Sequence, residues 1–212
     1  MDYSIIAKKT FSWERSGWGS KESQENRFKN IFNFIKDLEN INYLLDFGCN
    51  DGKLFEIYQK DINHPKKLIG YDPCKEAIEN FKKRKILSSE TFSNKDDLRQ
   101  KYDNKIDLVL CCGILQIKQL DWKEVLYDIS QLNRKNGYII ISTLSLDWNG
   151  FKDSNLNIPN SANRWIKYEE LKNFLELELN YKISKNISLL PRTGETGSIG
   201  FGYDMFIMAK KF

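Results

Sequence analysis

Histidine is nearly missing from this 212-residue chain. The single one, His64, stands in "DINHPKK" just ahead of a proline, where a turn residue is expected rather than a catalytic base. Cysteine is sparse as well. Cys49, Cys74, Cys111 and Cys112 form no Cys-x-x-Cys pair, which excludes the common zinc modules, and no metal site is expected. Cys111 and Cys112 lie inside an apolar run and read as small buried residues. No apolar run approaches the roughly 20 residues that span a bilayer. The start, "MDYSIIAKKTFSWERSGWGS", has no apolar core of a secretory leader. A cytoplasmic protein without a membrane partner is the expectation. A dominant charge is missing too: 33 basic groups face 29 acidic ones, for a net +4. A dedicated DNA-binding domain concentrates positive charge far more than this. The compact basic run "KKRK" at 82–85 closes a helical pattern and is expected to face solvent.

What is present is the material of a globular core, with 41% apolar and 13% aromatic residues. Residues 21–38 place Phe28, Ile31, Phe32, Ile35 and Leu38 at helical spacing. From residue 43 onward, apolar strand-like runs alternate with helical segments. "YLLDF", "KKLIGYD", a stretch near Ile86–Ser89, "KIDLVLCCGIL" and "YIIISTLS" are the strands. "KLFEIYQKDI", "PCKEAIENFKKRK" with Pro73 at its first helical position, "KDDLRQKY" and "WKEVLYDISQLNRKNG" are the helices. Such alternation predicts a mainly parallel sheet covered on both faces. After Ser145 the pattern stops. A polar segment at 146–165 leads to a helix, "KYEELKNFLELEL", and two last strands near 181–189 and 203–210. The organisation expected is one domain over 1–212: a helical cap at 1–40, a ligand-binding core at 41–145, and a closing segment with the final strands at 146–212.

The segment "LLDFGCNDGK" carries a glycine turn after a strand. It is not a P-loop, because Gly52 is followed by Lys53-Leu54 rather than by lysine and a hydroxyl residue. Nor does it match a dinucleotide fingerprint, since Asn50 stands where the middle glycine would let the backbone approach a pyrophosphate. What remains is acid-x-Gly-x-x-x-Gly at a strand-to-helix turn, with a second acid, Asp72, ending the next strand. Neighbouring parallel strands bring both features to one crevice. A carboxylate there can accept hydrogen bonds from two ribose hydroxyls, and the turn can admit an amino-acid tail.

"LLDFGCNDG", "LIGYDP", "KIDLVLCCGIL" and "NGYIIIST" resemble the motifs of class I S-adenosylmethionine-dependent methyltransferases over residues 40–145. "SGWGSKESQENRF" and "GYDMF" look like segments of a small subgroup of that family. The resemblance implies a Rossmann-like α/β fold with a seven-stranded, mainly parallel sheet and an antiparallel last strand. It implies S-adenosylmethionine as cofactor and S-adenosylhomocysteine as product. Asp46, Gly48, Cys49, Asn50 and Gly52 would lie beside the methionine part, Asp72 would bind the ribose, and Pro73 would sit beside the adenine. The stretch near Glu90 and Thr91 would line the adenine, although the family's usual acid-small pair is missing there, and Cys111, Cys112, Gly113 and Ile114 would border the sulfonium.

Methyl transfer is an in-line displacement that chiefly needs a placed acceptor and exclusion of water. Trp13 and Trp18 offer aromatic faces for a sulfonium, or else cap the core. Gln24 and Arg27 share a helix face. Arg27 either pairs with the cofactor carboxylate or is a solvated charge. Arg164 and Arg192 suit a phosphate or carboxylate. With Trp148, Asn163, Trp165 and Tyr168 they mark the acceptor side, where Asp204 and Tyr203 are candidates for a base or orienting group. No Asn-Pro-Pro-aromatic motif or added RNA-binding module is present. The expectation is therefore a small polar acceptor such as a sugar, an activated sugar or a phosphorylated intermediate, with nucleic acid disfavoured and the oligomeric state open. RNA or protein methylation, or an inactive partner subunit with this fold, are the alternatives.

Overall fold

The computed structural model describes residues 21–61, 65–147, 164–191 and 203–212. Helix α1 (Lys21–Ile35) precedes the alternating body: β1 (Tyr43–Phe47), α2 (Lys53–Asp61), β2 (Lys67–Tyr71), α3 (Lys75–Lys83), β3 (Ser89–Phe92), α4 (Lys95–Tyr102), β4 (Ile106–Cys112), α5 (Trp122–Leu132) and β5 (Asn133–Ser145). Helix α6 (Tyr168–Asn173) widens into a π-helical turn at Phe174–Glu178 before β6 (Tyr181–Pro191) and β7 (Tyr203–Lys211). Among the described residues the seven strands form one sheet in the order β3-β2-β1-β4-β5-β7-β6. Strands β1 to β5 are parallel, and β7 runs antiparallel between β5 and β6. The expected seven-stranded, mainly parallel sheet with an antiparallel last strand is the architecture observed.

Because successive strand residues point to opposite faces, each strand feeds two cores. Leu45, Ile69, Val109 and Ile139 meet Leu126 and Ile129 of α5 and Leu171 of α6 on one face. Leu44, Leu68, Leu108 and Ile140 meet Ile31 and Phe34 of α1, Phe55 of α2 and Phe81 of α3 on the other. Strands buried on both faces read as continuous apolar runs, which is why "IDLVLCC" shows no alternation.

Four boundaries differ from the sequence reading. Helix α5 stops at Leu132 instead of continuing to Asn136-Gly137. The buried Asn133 side chain is recruited by the sheet: its Nδ2 donates to the Ile106 and Tyr138 carbonyls at 2.9 and 3.3 Å, and its Oδ1 accepts from the Tyr181 hydroxyl at 3.0 Å. Asn136 does adopt a left-handed conformation (φ 63°), but inside β5, where the register against β4 jumps between Ile106 and Leu108. Strand β3 forms at Ser89–Phe92, later than expected, because its pairing with β2 sets its position. Pro73 precedes α3, whose N-cap is Cys74. Helix α1 ends at Ile35, short of Leu38.

Candidate functional site

Glycine turns and acids gather at the carboxyl ends of β1, β2 and β4, where parallel sheets carry their ligands. After Phe47 the chain leaves β1 through Gly48 (φ 88°), Asn50 (φ 47°) and Gly52 (φ 75°). The Gly48 and Cys49 amides both donate to the Tyr71 carbonyl, at 2.7 and 2.9 Å, which ties the turn to the end of β2. A Cβ at Gly48 would stand 2.1 Å from Ile114 Cδ1, and one at Gly52 would stand 2.4 Å from the Phe81 ring. The Gly52 position therefore demands glycine for space as well as for conformation, while at Gly48, which meets only the end of the half-buried Ile114 side chain, the left-handed backbone is the requirement. Asparagine is the side chain that most readily joins glycine in the left-handed region. Asn50 thus preserves the conformation of the turn while departing from its common composition.

Asp72, one residue beyond β2, accepts hydrogen bonds from the Asn50 amide at 3.0 Å and the Cys74 amide at 2.9 Å, one on each oxygen. Burial raises its carboxyl above the ordinary value, and these two bonds oppose the rise. Asp46, on β1, is also buried. Desolvation pushes its carboxyl up to about 7, with the charge of Asp72 adding to the effect. Cys49, in the turn itself, has its thiol pushed well up by burial and by the charges of Asp72, Asp46 and Asp51.

A cavity of about 780 Å³ opens beside Asp72. Phe47, Gly48, Tyr71, Pro73, Ile114 and Val125 supply much of its wall, and the Phe47 and Tyr71 rings lie 4.7 Å apart. Glu76, Asp121, Glu124 and Asp128 add carboxylates, against Lys75 and Lys95. Lys95 donates to Asp128 at 2.6 Å. An apolar slot next to a carboxylate that can accept from hydroxyls suits a nucleoside. A glycine turn that excludes side chains suits a slender tail. These features fit an adenosine with an amino-acid extension.

On the α1 face of the sheet, Arg27 is fully buried and forms an ion pair with Asp204 at the start of β7. The solvated-charge alternative for Arg27 is thereby corrected: α1 packs its stripe onto the sheet and carries Arg27 inward with it. Cys112 lies near enough to Arg27 and Asp46 for both charges to act on its thiol, though burial dominates and drives it well up. Cys111 points to the opposite core. Gly113 donates its amide to the Ser142 carbonyl at 2.8 Å. Beside it, Ser142 and Thr143 are buried, and their hydroxyls have no hydrogen-bond partner among the described residues.

The sequence-derived candidates therefore divide. Asp46, Gly48, Cys49, Asn50, Gly52, Asp72 and Pro73 converge on the turn and the cavity. Glu90 does not line the cavity: it accepts from Lys101 and from the Tyr102 hydroxyl, and it pairs with Lys67 at 3.5 Å. Thr91 lines a separate small hollow of about 190 Å³ beside Phe81 and Ile86. Arg164 spends its guanidinium on backbone, donating to the Lys118 carbonyl at 2.9 Å and the Leu115 carbonyl at 3.4 Å. It thereby ties the segment before α6 to the loop after β4. Tyr168 accepts from Asn186 Nδ2 at 2.6 Å. Tyr203 begins β7 opposite Ser145. Trp13, Trp18, Trp148, Asn163 and Arg192 lie outside the described residues.

Sequence reasoning missed the aromatic wall of Phe47 and Tyr71, the lining from α5, and Arg84. The aromatics had a signal, since each stands next to a recognised motif residue. Arg84 belongs to the "KKRK" run expected to face solvent, yet its side chain is only 16% exposed and pairs with Asp51 and Glu56. Its direction follows from the end of α3 abutting the glycine turn, which no local pattern records.

Comparison with known proteins adds a family and a set of neighbours. A family profile described as "Methyltransferase domain" matches residues 22–185. A tRNA U34 carboxymethyltransferase of Helicobacter pylori is 30% identical over 111 residues. That match covers 48% of this chain, and the chain spans only 40% of that relative's length. Among solved structures, the N-methyltransferase NodS from Bradyrhizobium japonicum in complex with S-adenosyl-L-homocysteine superposes with a TM-score of 0.70. It is 12% identical, with 99% of this chain and 96% of that one covered. The magnesium protoporphyrin IX methyltransferase of Synechocystis with bound S-adenosylhomocysteine gives a TM-score of 0.67 at 14% identity, covering 96% of this chain and 89% of that one.

Proposed function

The chain belongs to the methyltransferase-domain family, and on that premise we propose that it transfers a methyl group from S-adenosylmethionine to a small polar acceptor: a sugar, an activated sugar or a phosphorylated intermediate. Asp72 carries the cofactor half of this reading. After accepting from Asn50 and Cys74, each of its oxygens still has a lone pair to offer a ribose hydroxyl. The cofactor supplies an electrophilic methyl group on a sulfonium. With S-adenosylhomocysteine departing as a neutral thioether, a hydroxyl acceptor gives up its proton to a nearby base or to water; the rest of the protein's part is positioning.

In this reading Phe47, Tyr71 and Pro73 flank the adenine. Gly48, Cys49, Asn50 and Gly52 line the methionine part, and Asp46 balances its ammonium group. Cys112 and Gly113 border the reacting end. Segment 41–145 acts as the cofactor side and 146–212 as the acceptor side. Arg27 and Asp204 brace α1 against β7 at the reacting edge, and Arg164 holds the loop after β4. Tyr203, on the same edge, is the candidate to orient the acceptor. The near balance of 33 basic and 29 acidic groups, for a net charge of only +4, supports a small acceptor over a nucleic acid.

A second reading, an RNA acceptor, is favoured by the similarity to tRNA U34 carboxymethyltransferases. Two measurements separate the readings. Calorimetric titration with S-adenosylmethionine should show binding, and none at millimolar cofactor would sink both. Incubation with methyl-labelled cofactor and either small-metabolite extract or bulk tRNA should then label the small-molecule fraction. Label that appears in tRNA and is lost on ribonuclease treatment would replace the first acceptor with the second.

A further inference from the structure

Arg84 is the C-cap residue of α3 and has no place in the site as the motifs define it. Its guanidinium nevertheless makes three contacts on and beside the cofactor turn. Nε donates to the Asp51 backbone carbonyl at 2.6 Å, Nη2 to Asp51 Oδ2 at 2.6 Å, and Nη1 to Glu56 Oε2 at 2.6 Å. Asp51 lies in the turn between Asn50 and Gly52, and its side chain is 1% exposed. Its other oxygen accepts from the Lys53 amide at 3.3 Å, at the start of α2. A carboxylate buried this deeply needs a compensating charge, and Arg84 supplies it. One planar cation thus spans the turn's backbone, the turn's side chain and the first turn of α2, a geometry a lysine ammonium cannot reproduce.

The turn needs such a brace. Gly48, Asn50 and Gly52 all hold left-handed conformations, and no strand ladder runs through them. The residue next to Asp51 is Asn50, whose amide donates to Asp72. A chain of direct contacts therefore runs from Arg84 through Asp51 and the Asn50 amide to the carboxylate assigned to the ribose. We infer that Arg84 is a positioning residue for the cofactor, locking the glycine turn in the shape that presents Asp72. The inference rests on the cofactor reading above and adds a residue to it that touches no part of the ligand.

The test measures S-adenosylhomocysteine affinity by calorimetry and thermal stability in parallel, on the full chain, for wild type, Arg84→Ala, Arg84→Lys and a control, Arg134→Ala. Arg134 makes an ion pair with Asp107 at the opposite end of the sheet, so its loss should lower the melting temperature with Kd unchanged. Arg84→Ala is expected to raise Kd at least tenfold, and Arg84→Lys at least threefold but less than alanine. Affinity within twofold of wild type in Arg84→Ala would overturn the inference. So would a loss of affinity in Arg134→Ala matching that in Arg84→Ala at equal loss of stability. If Arg84→Ala does not fold, Arg84→Lys decides by the same threefold limit. Wild-type protein that fails to bind would instead remove the cofactor reading, and this inference with it.

Discussion

The two ends of the sheet are built on opposite terms. At the amino end, buried polar groups are matched. Asp107 accepts from the Asn42 and Tyr43 amides at 2.9 and 2.8 Å and from Arg134. Asn133 bonds to two carbonyls and to the Tyr181 hydroxyl, and Lys211 donates to the Ser130 and Asn133 carbonyls, closing the end of α5. At the carboxyl end, Asp46 is buried with its carboxyl pushed up to about 7, and the Ser142 and Thr143 hydroxyls and Gln116 Oε1 have no partner among the described residues. Three residues of one turn hold left-handed backbone there. A satisfied polar group adds stability, whereas an unsatisfied one costs it and is retained where a ligand can complete it. The amino end is matched throughout these groups, whereas the carboxyl end sets matched pairs, Arg84–Asp51 and Arg27–Asp204, beside polar groups that a ligand can complete.

That contrast can be broken in order of expected effect. Asp72→Ala should raise the Kd for S-adenosylhomocysteine about a hundredfold or more. In the proposed reading it removes two charge-assisted hydrogen bonds to the ribose hydroxyls, of at least ~1.5 kcal/mol each. Calorimetry would show it, and unchanged affinity would refute the ribose assignment. Asp107→Ala should do the reverse, costing about 2–4 kcal/mol in denaturant unfolding while leaving cofactor affinity within twofold, because it strands two backbone amides and Arg134. If affinity fell with stability, the two ends would not be separable.

Gly52→Ala should affect both, costing about 1–3 kcal/mol and weakening binding, since its Cβ meets the Phe81 ring in a left-handed backbone. Gly52→Ala together with Phe81→Leu tests whether the clash or the backbone dominates; recovery of stability would point to the clash.

The pH response sharpens the comparison further. The Asp46 carboxyl rises from 3.8 to about 7 on folding, so the folded chain holds a proton that the unfolded chain has released. The associated stability is full below about 3.8 and is lost as pH rises through about 7. The ligand-free protein should therefore lose roughly 1–3 kcal/mol between pH 5 and 8, a slope that Asp46→Asn should flatten in urea titrations. Affinity for the cofactor should rise over the same window as Asp46 ionises against the ammonium group. Ser142→Ala should have the smallest effect on the free protein, within about 1 kcal/mol, because no bond is lost. A drop in stability beyond that would reveal a partner for Ser142 and weaken the contrast.

How much of this was readable in advance depended on how local each signal was. The sheet, the glycine turn and Asp72 follow from residues adjacent in sequence to the elements they serve. Asn50 was legible as a departure, but its left-handed conformation was not. Glu90 and Thr91 both border the small hollow beside Phe81 and Ile86 rather than the cavity, a placement that only the pairing of β3 with β2 and the packing of α3 decide. The end of α5 was misread because Asn133 obeys the sheet rather than the helix.

By itself the sequence determined the alternating parallel architecture and the identity of the turn, because periodicity and strand-ending acids are local facts that hydrophobic burial turns into structure. The tertiary structure alone decided which charges meet. Arg27 reaches Asp204 across 177 positions, and Arg84 reaches Asp51 across 33. Side chains so far apart in the chain become partners only when helix packing carries them to one place. There the burial that the core demands makes each pairing obligatory.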